Sequence, residues 1–286
     1  MTVAREPALD EVLLKPLVEA ALTEDLGRRG DVTSQATIPA DMQAQLQIKA
    51  RQAGVICGMD LARLSFALVD AQIAFIAQVT DGERVEADTV LAIVRGNARH
   101  LLTAERTALN FMTHLSGIAT ATRQIVDSVA EYPAQITCTR KTIPGLRILQ
   151  KYAVRCGGGR NHRLGLDDAI LIKDNHIAIA SDIKTAIQQA QNFAGHLIPI
   201  EVEVDTLEQL AQALDAGVSL VLLDNMSPEI LSQAVAMCKG RARTEASGGI
   251  TPETVQAAAK TGVDFIAMGY LTHSTTALDI GLDFSA

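Results

Sequence analysis

Residues 200–230, IEVEVDTLEQLAQALDAGVSLVLLDNMSPEI, decide how the second half of the chain folds. Ile200–Val204 alternates apolar and acidic residues with a period of two. That pattern predicts a strand with Glu201, Glu203 and Asp205 on one face and Val202 and Val204 on the other. A helical stretch follows, then the apolar run Leu220–Leu223. Ser227-Pro228-Glu229 comes next, a capping hydroxyl ahead of a proline suited to the first helical turn. The rhythm extends outward: Ile136–Cys138, Ala169–Ile172 and Phe265–Met268 are further short apolar runs, and Thr251-Pro252-Glu253 repeats the helix-start signal. Alternation of this kind predicts a parallel α/β sheet. Its regular spacing favours a barrel over an open doubly wound sheet, which stays as the alternative.

The first hundred residues follow another pattern. Leu9 to Leu26 and Leu61 to Val69 carry helix-spaced apolar residues, whereas Gln45 to Lys49 alternates like a strand. Between Ile73 and Val94 two β-rich runs flank Asp81-Gly82, which predicts a hairpin similar to those of lipoyl or biotinyl carriers. The hairpin has no lysine to carry such a group, so carrier function is excluded. A long helix joining two domains is expected from Thr103 to about Ala130, with Ser116-Gly117 as a candidate break.

A chain of 286 residues that is 48% hydrophobic can bury a substantial core, and its 20 Gly and 8 Pro are too few for a collagen-like or low-complexity protein. Thirty-three acidic against 25 basic residues give a charge of −8, and aromatics are only 3%, which argues against nucleic-acid binding. No apolar run is long enough for a membrane span. The N-terminus, with Arg5, Glu6, Asp10 and Glu11, lacks the apolar centre of a signal peptide, so a cytoplasmic protein is expected. Cys57, Cys138, Cys156 and Cys238 form no C-x-x-C pair and are expected to be buried thiols rather than zinc ligands or disulfides.

In a βα barrel the reactive groups hang from the carboxyl ends of the strands. Thr139, Arg140 and Lys141 follow one apolar run, and Lys173, Asp174, Asn175 and His176 follow another. Glu203 stands near the end of its strand, where a functional role is as well supported as a salt bridge, and for Glu201 a structural salt bridge is expected. Asp224 and Asn225 end the next strand, with helix capping as the alternative. Ser247-Gly248-Gly249 and Gly269 follow the last two strands, where glycines let backbone N–H groups approach an anion. Residues 137 to 173 hold eight of the 25 basic residues, against about three for an even spread. Arg147, Lys151 and Arg155 at helical spacing read as a solvated helix face. Arg140, Lys141, Arg163 and Lys173 lie beside loops and strand ends and point to a polyanionic small molecule. His162 either binds a carboxylate or caps a loop; without other metal-spaced histidines, zinc is disfavoured.

Residues 138–177, CTRKTIPGLRILQKYAVRCGGGRNHRLGLDDAILIKDNHI, resemble the signature of the quinolinate phosphoribosyltransferase family. The resemblance continues through ALTEDLG, GDVTS, ERTALNFMTHLSGIAT, IEVEVDTLEQL, LVLLDNMSP, EASGGITPETV and GYLTHS. It implies an N-terminal α/β sandwich over 1–117 and an incomplete α/β barrel of parallel strands over 118–286, with the last residues packing back on the first domain. It further implies a magnesium-dependent transferase that joins quinolinate to phosphoribosyl diphosphate in NAD synthesis. Family proteins are homodimers, sometimes hexamers, with shared active sites. Carried over by position, Arg106 would reach the partner's quinolinate site, and Arg140, His162, Arg163 and Lys173 would surround the two carboxylates. Thr139 and Lys141 would serve the substrates, Lys141 meeting the phosphoribosyl diphosphate. Glu203 and Asp224 would hold the ribose and its magnesium, and Ser247, Gly248, Gly249 and Gly269 the 5-phosphate. Lys141, Lys173, Glu203 and Asp224 are the catalytic set. Tyr270, where a small residue is usual, and Asp88, where glycine is common, depart from the family pattern. Three rivals remain at this point: a Schiff-base lyase using Lys173, a paralogue associated with molybdenum uptake, and a non-catalytic binding protein.

Overall fold

The computed structural model describes residues 8–284; Arg5 and Glu6, cited above against a signal peptide, lie outside them. The chain forms two compact units. The first takes the described residues up to Arg123, Arg155–Gly158 and those from Thr275 onward. The second takes Gln124–Val154 and Gly159–Ser274.

The first unit opens with helices α1 (Glu11–Leu26) and α2 (Val32–Thr37), then β1 (Gln43–Ala50), β2 (Gly54–Val55) and α3 (Met59–Val69). Strands β3 (Ala74–Ala77), β4 (Arg84–Val85) and β5 (Val90–Asn97) follow, and α4 (Ala98–Ser128) begins directly after them. Leu46, Ile48 and Ala50 alternate inward from β1 and pack with Leu91, Ala92 and Val94 of β5 against Phe66 of α3. From α4, Leu101, Ala104, Ala108 and Met112 join them at the three-and-four spacing of one helical face. Phe66, 1% exposed, contributes about 2–3 kcal/mol by its burial.

Two expectations for this unit need correction. The turn at Asp81-Gly82 does not join a two-strand hairpin. β3 pairs antiparallel with β5, while β4, lying between them in sequence, pairs with β2. Asp81 instead accepts the Met59 backbone N–H at 3.0 Å, at the start of α3, and Gly82 supplies the left-handed φ of 86°. The helix after β5 is also unbroken at Ser116-Gly117. Gly117 is needed because a Cβ there would collide with the Thr276 carbonyl and come within 3.0 Å of Ala277 Cα. The chain end (β12, Ile280–Phe284) completes a sheet of order β12-β1-β5-β3, pairing antiparallel with β1.

The second unit is the βα repetition. Its elements are β6 (Gln135–Thr137), α5 (Arg147–Cys156), β7 (Ile170–Ile172), α6 (Asp174–Ile179), α7 (Ile183–Phe193) and β8 (Ile200–Val204). They continue with α8 (Leu207–Asp215), β9 (Leu220–Asp224), α9 (Pro228–Cys238), β10 (Arg243–Ser247), α10 (Val255–Lys260), β11 (Phe265–Ala267) and α11 (Tyr270–His273). All pairings in the six-stranded sheet, order β6-β11-β10-β9-β8-β7, are parallel. Among the described residues its edge strands β6 and β7 are not paired with each other, which leaves the barrel incomplete. Thr206 and Ser227 cap α8 and α9 by accepting the Gln209 and Ile230 N–H groups, and Leu210, Ala213 and Leu214 are the buried stripe of α8. The expected start at Thr251 moves by one turn. The Thr251 carbonyl accepts the Thr254 and Val255 N–H groups, and α10 begins at Val255. The four cysteines are buried thiols. No helix among the described residues is long and apolar enough to cross a membrane.

Candidate active site

The parallel register brings the strand ends to one level: Ser247, the last residue of β10, pairs with Asp224, the last of β9. Glu203 lies one residue before the end of β8, on the same side as Glu201. Past β6 come Thr139, Arg140 and Lys141, and past β7 comes Lys173. These groups line one cavity of about 500 Å³ with His162, Arg163, Asn225, Ser247, Gly248 and Gly249. Leu171, Leu222 and Ala267 add its apolar lining.

His162 and Arg163 arrive by a route the strand pattern did not reveal. Arg160 N–H donates to the Ile136 carbonyl at 2.7 Å, and Cys138 N–H to the Arg160 carbonyl at 3.2 Å. A glycine-rich loop is thereby pinned alongside β6 through a single bridge between Thr137 and Arg160. Arg163 donates one guanidinium N–H to the Ala169 carbonyl at 2.9 Å. The Nε atoms of both Arg140 and Arg163 are buried without a hydrogen-bond partner. Burial first, and then the charge of Arg140, pushes the Arg163 pKa below its ordinary value. Two guanidiniums held near one another with unused donors form a site whose positive potential is relieved by an arriving anion.

The acidic side of the cavity is anchored differently. Lys173 Nζ donates to Glu203 Oε2 at 2.6 Å, and Asp224 Oδ2 accepts from the Asn225 side-chain amide at 2.7 Å. Asn225 itself has a left-handed φ of 54° and donates its backbone N–H to the Ser247 carbonyl. Gly248 has φ 89°, and a Cβ there would strike the Asn225 side-chain oxygen and come within 2.6 Å of its backbone nitrogen. Gly249 has φ 61° and open space where a Cβ would stand. Only glycine at 248 allows the two strand-end loops to close on each other.

His162 links the cavity to a cluster with the buried Glu201 and Glu245, in which the potential ligand atoms all fall within 4.8 Å of one another. Glu201, expected to make a salt bridge, meets His162 at 2.8 Å from Nε2, a contact that is an ion pair only when the imidazole carries both protons. Burial draws the His162 pKa down, but the Glu201 hydrogen bond and the charges of Glu245 and Glu201 outweigh it and leave it raised. Those charges favour a second ring proton, whereas the Arg163 N–H, 2.8 Å from Nδ1, requires a lone pair there. The amide contact is the firmer constraint, because it joins adjacent residues of the chain. The ring proton therefore sits on Nε2, and both nitrogens are engaged. Glu245 takes the Thr137 hydroxyl at 3.1 Å; burial first, then the like charge of Glu201, raises its pKa to about 7.

Lys151 departs most from its sequence reading. Helical spacing places it on a solvated face, yet it is 1% exposed and its ammonium bonds Cys138 Sγ and the carbonyls of His162 and Arg163. The returning loop covers that face of α5, a tertiary event that helical spacing cannot report. Two other named residues stand apart from the cavity lining. Arg106 is exposed on α4, among the residues of the first unit. Gly269 precedes α11, where a Cβ would lie 3.1 Å from Lys141 Cδ. Tyr270 is half-buried at the start of α11, and Asp88 holds a left-handed φ of 67°, which explains the usual glycine.

Residues 31–116 match the N-terminal domain, and residues 118–283 the C-terminal domain, of quinolinate phosphoribosyl transferase. The chain belongs to the quinolinate phosphoribosyltransferase family. It is 47% identical over 271 residues to the nicotinate-nucleotide pyrophosphorylase (carboxylating) of Mycobacterium leprae, covering 93% of this chain and 95% of that protein. A probable nicotinate-nucleotide pyrophosphorylase (carboxylating) of Bacillus subtilis is 42% identical over 275 residues, 96% of this chain and 94% of that protein. The solved nicotinate-nucleotide pyrophosphorylase of Francisella tularensis superposes with a TM-score of 0.94 at 39% identity, covering 99% and 100% of the two chains. Family membership thus covers both units of the fold.

Proposed function

We propose that the cavity at the strand ends is where this protein, a quinolinate phosphoribosyltransferase, joins quinolinate to 5-phosphoribosyl-1-diphosphate. The products are nicotinate mononucleotide, diphosphate and carbon dioxide. One observation carries the assignment of the site: unpaired guanidinium nitrogens of Arg140 and Arg163 share a cavity with the carboxylates of Glu203 and Asp224. Cations suit the dicarboxylate and the diphosphate, and the acids suit the sugar between them.

The side chains then divide the work. Arg140, Arg163 and Lys173 take the two carboxylates, and Thr139 and Lys141 take the diphosphate end. Ser247, Gly248 and Gly249 offer hydroxyl and backbone N–H groups to the 5-phosphate, with Gly269 beside Lys141. Collecting two anions in one orientation is itself a large rate term. As the bond to diphosphate lengthens, the ribose gains oxocarbenium character, which Glu203 and Asp224 stabilise while the pyridine nitrogen attacks. Lys173 is paired to Glu203 before substrate arrives; when it turns to a carboxylate, it releases Glu203 to the sugar. The bond from the ring to the carboxylate beside the quaternised nitrogen then breaks and carbon dioxide leaves. The nitrogen stabilises the electron pair left on that ring carbon until a proton from solvent replaces the lost group, so no protein nucleophile is needed. In an ion pair at 2.6 Å the Lys173 nitrogen donates and offers no lone pair to a carbonyl, which disfavours the Schiff-base lyase.

Magnesium is the cofactor proposed. Glu203 and Asp224 are hard oxygen donors of the kind it takes, directly or through water and the ribose. When bound it supplies charge neutralisation at the departing diphosphate. We further propose a homodimer with shared active sites in a reducing cytoplasm, in keeping with the four buried thiols.

The test is an assay of purified protein with magnesium, phosphoribosyl diphosphate and either quinolinate or nicotinate. Mononucleotide is expected from quinolinate, and none after chelation of the metal. Product from nicotinate alone, or anion binding without turnover as in a transport paralogue, would overturn the reading.

A further inference from the structure

We propose that Lys151 is a positioning residue for this reaction: its buried ammonium fixes the His162–Arg163 backbone and so holds the Arg163 guanidinium at the anion cavity. Lys151 projects from α5 and donates to the His162 carbonyl at 2.8 Å, the Arg163 carbonyl at 2.9 Å and Cys138 Sγ at 3.2 Å. An ammonium has three donors, and these three acceptors use all of them. All three acceptors are neutral, so none of them is a counter-ion to the ammonium.

Two features argue that this is more than packing. A buried ammonium is costly to desolvate, and a methionine of similar length would fill the same space without that cost. What the ammonium adds is convergence. In extended backbone successive carbonyls point to opposite sides, but those of His162 and Arg163 meet at one atom, which imposes a curved backbone there. Both residues line the cavity, and Arg163 carries a buried, unpartnered Nε. The third contact reaches Cys138, the residue after β6, whose thiol donates to Asn161 Oδ1 at 3.3 Å and which directly precedes Thr139 and Arg140. One ammonium therefore ties the strand end bearing Arg140 to the loop bearing Arg163. Its positive charge also acts on Glu245 and His162, favouring the ionised carboxylate in the first and opposing a second ring proton in the second.

The inference rests on quinolinate binding as the role of the cavity. Its test compares the intact protein with Lys151→Met, which keeps length and removes the donors, and Lys151→Gln, which keeps a neutral donor. Thermal melting, quinolinate affinity by calorimetry and both KM values are measured. Lys151→Met is expected to melt cooperatively, to bind quinolinate about tenfold more weakly or worse, and to raise its KM in step. The KM for phosphoribosyl diphosphate should change less than about threefold, with Lys151→Gln intermediate for quinolinate. Unchanged quinolinate affinity, or an equal loss for both substrates, would overturn the proposal. So would failure of both variants to melt cooperatively, since Lys151 would then serve the fold alone. If the unmodified protein binds quinolinate but makes no mononucleotide, the assigned activity fails while the affinity comparison still decides the role of Lys151. If it binds none, both fall.

Discussion

Glu245 is a carboxyl whose chemistry is strongly altered by its surroundings. Burial and the neighbouring Glu201 charge raise its pKa to about 7, with His162, Thr137 and Lys151 opposing the shift. Such a carboxyl binds its proton more tightly folded than unfolded, so its contribution to stability is full below about pH 4.5 and is lost as pH rises towards 7. Glu245→Gln, neutral at every pH, should flatten the fall in melting temperature between pH 4.5 and 7; an unchanged slope would assign that fall to other groups. The sequence exposed some of this cluster. Alternation in IEVEVD indicated that Glu201 needed a partner, because a carboxylate at an inward position cannot stay unpaired. It could not name His162, 39 residues away, since the contact depends on how the glycine-rich loop returns to β6. Burial of Lys151 is hidden for the same reason: spacing of 147, 151 and 155 marks a helix face but not what later covers it.

Among the elements, the βα repetition was legible because caps and strand runs are local signals, and β8, Ile200–Val204, fell where alternation put it. The hairpin and the helix break were not, since Asp81 and Gly117 answer to partners far along the chain. The Ser247-Gly248-Gly249 turn gives a test at this scale. Both glycines have positive φ, but only Gly248 is also closed in by Asn225. Gly249→Ala should therefore cost about 1 kcal/mol from the left-handed backbone alone. Gly248→Ala adds a collision with backbone that cannot swing away and should lower the melting temperature several-fold further, with loss of turnover. Equal shifts for the two would show that the Asn225 loop yields, and that close approach is not what the glycine secures.

The cavity holds its cations and its acids within the second unit, while Arg106, the remaining cation named through the family resemblance, is exposed on α4 among residues of the first. If Arg106 completes the site of a partner subunit, defects in Arg106 and Lys173 complement one another. Arg106→Ala and Lys173→Ala homodimers should each be inactive. In a mixed dimer with shared sites, both defects fall on one site and the other is whole. Co-expression of the two variants in equal amounts makes about half of the dimers mixed, each with one working site, so activity should return to about a quarter of wild type. If Arg106 acts within its own chain, each site of the mixed dimer carries one defect and no activity returns. The assay thus separates a shared site from a self-contained one without reference to the size of the assembly, and a mixture that stays inactive would remove the partner subunit from the chemistry.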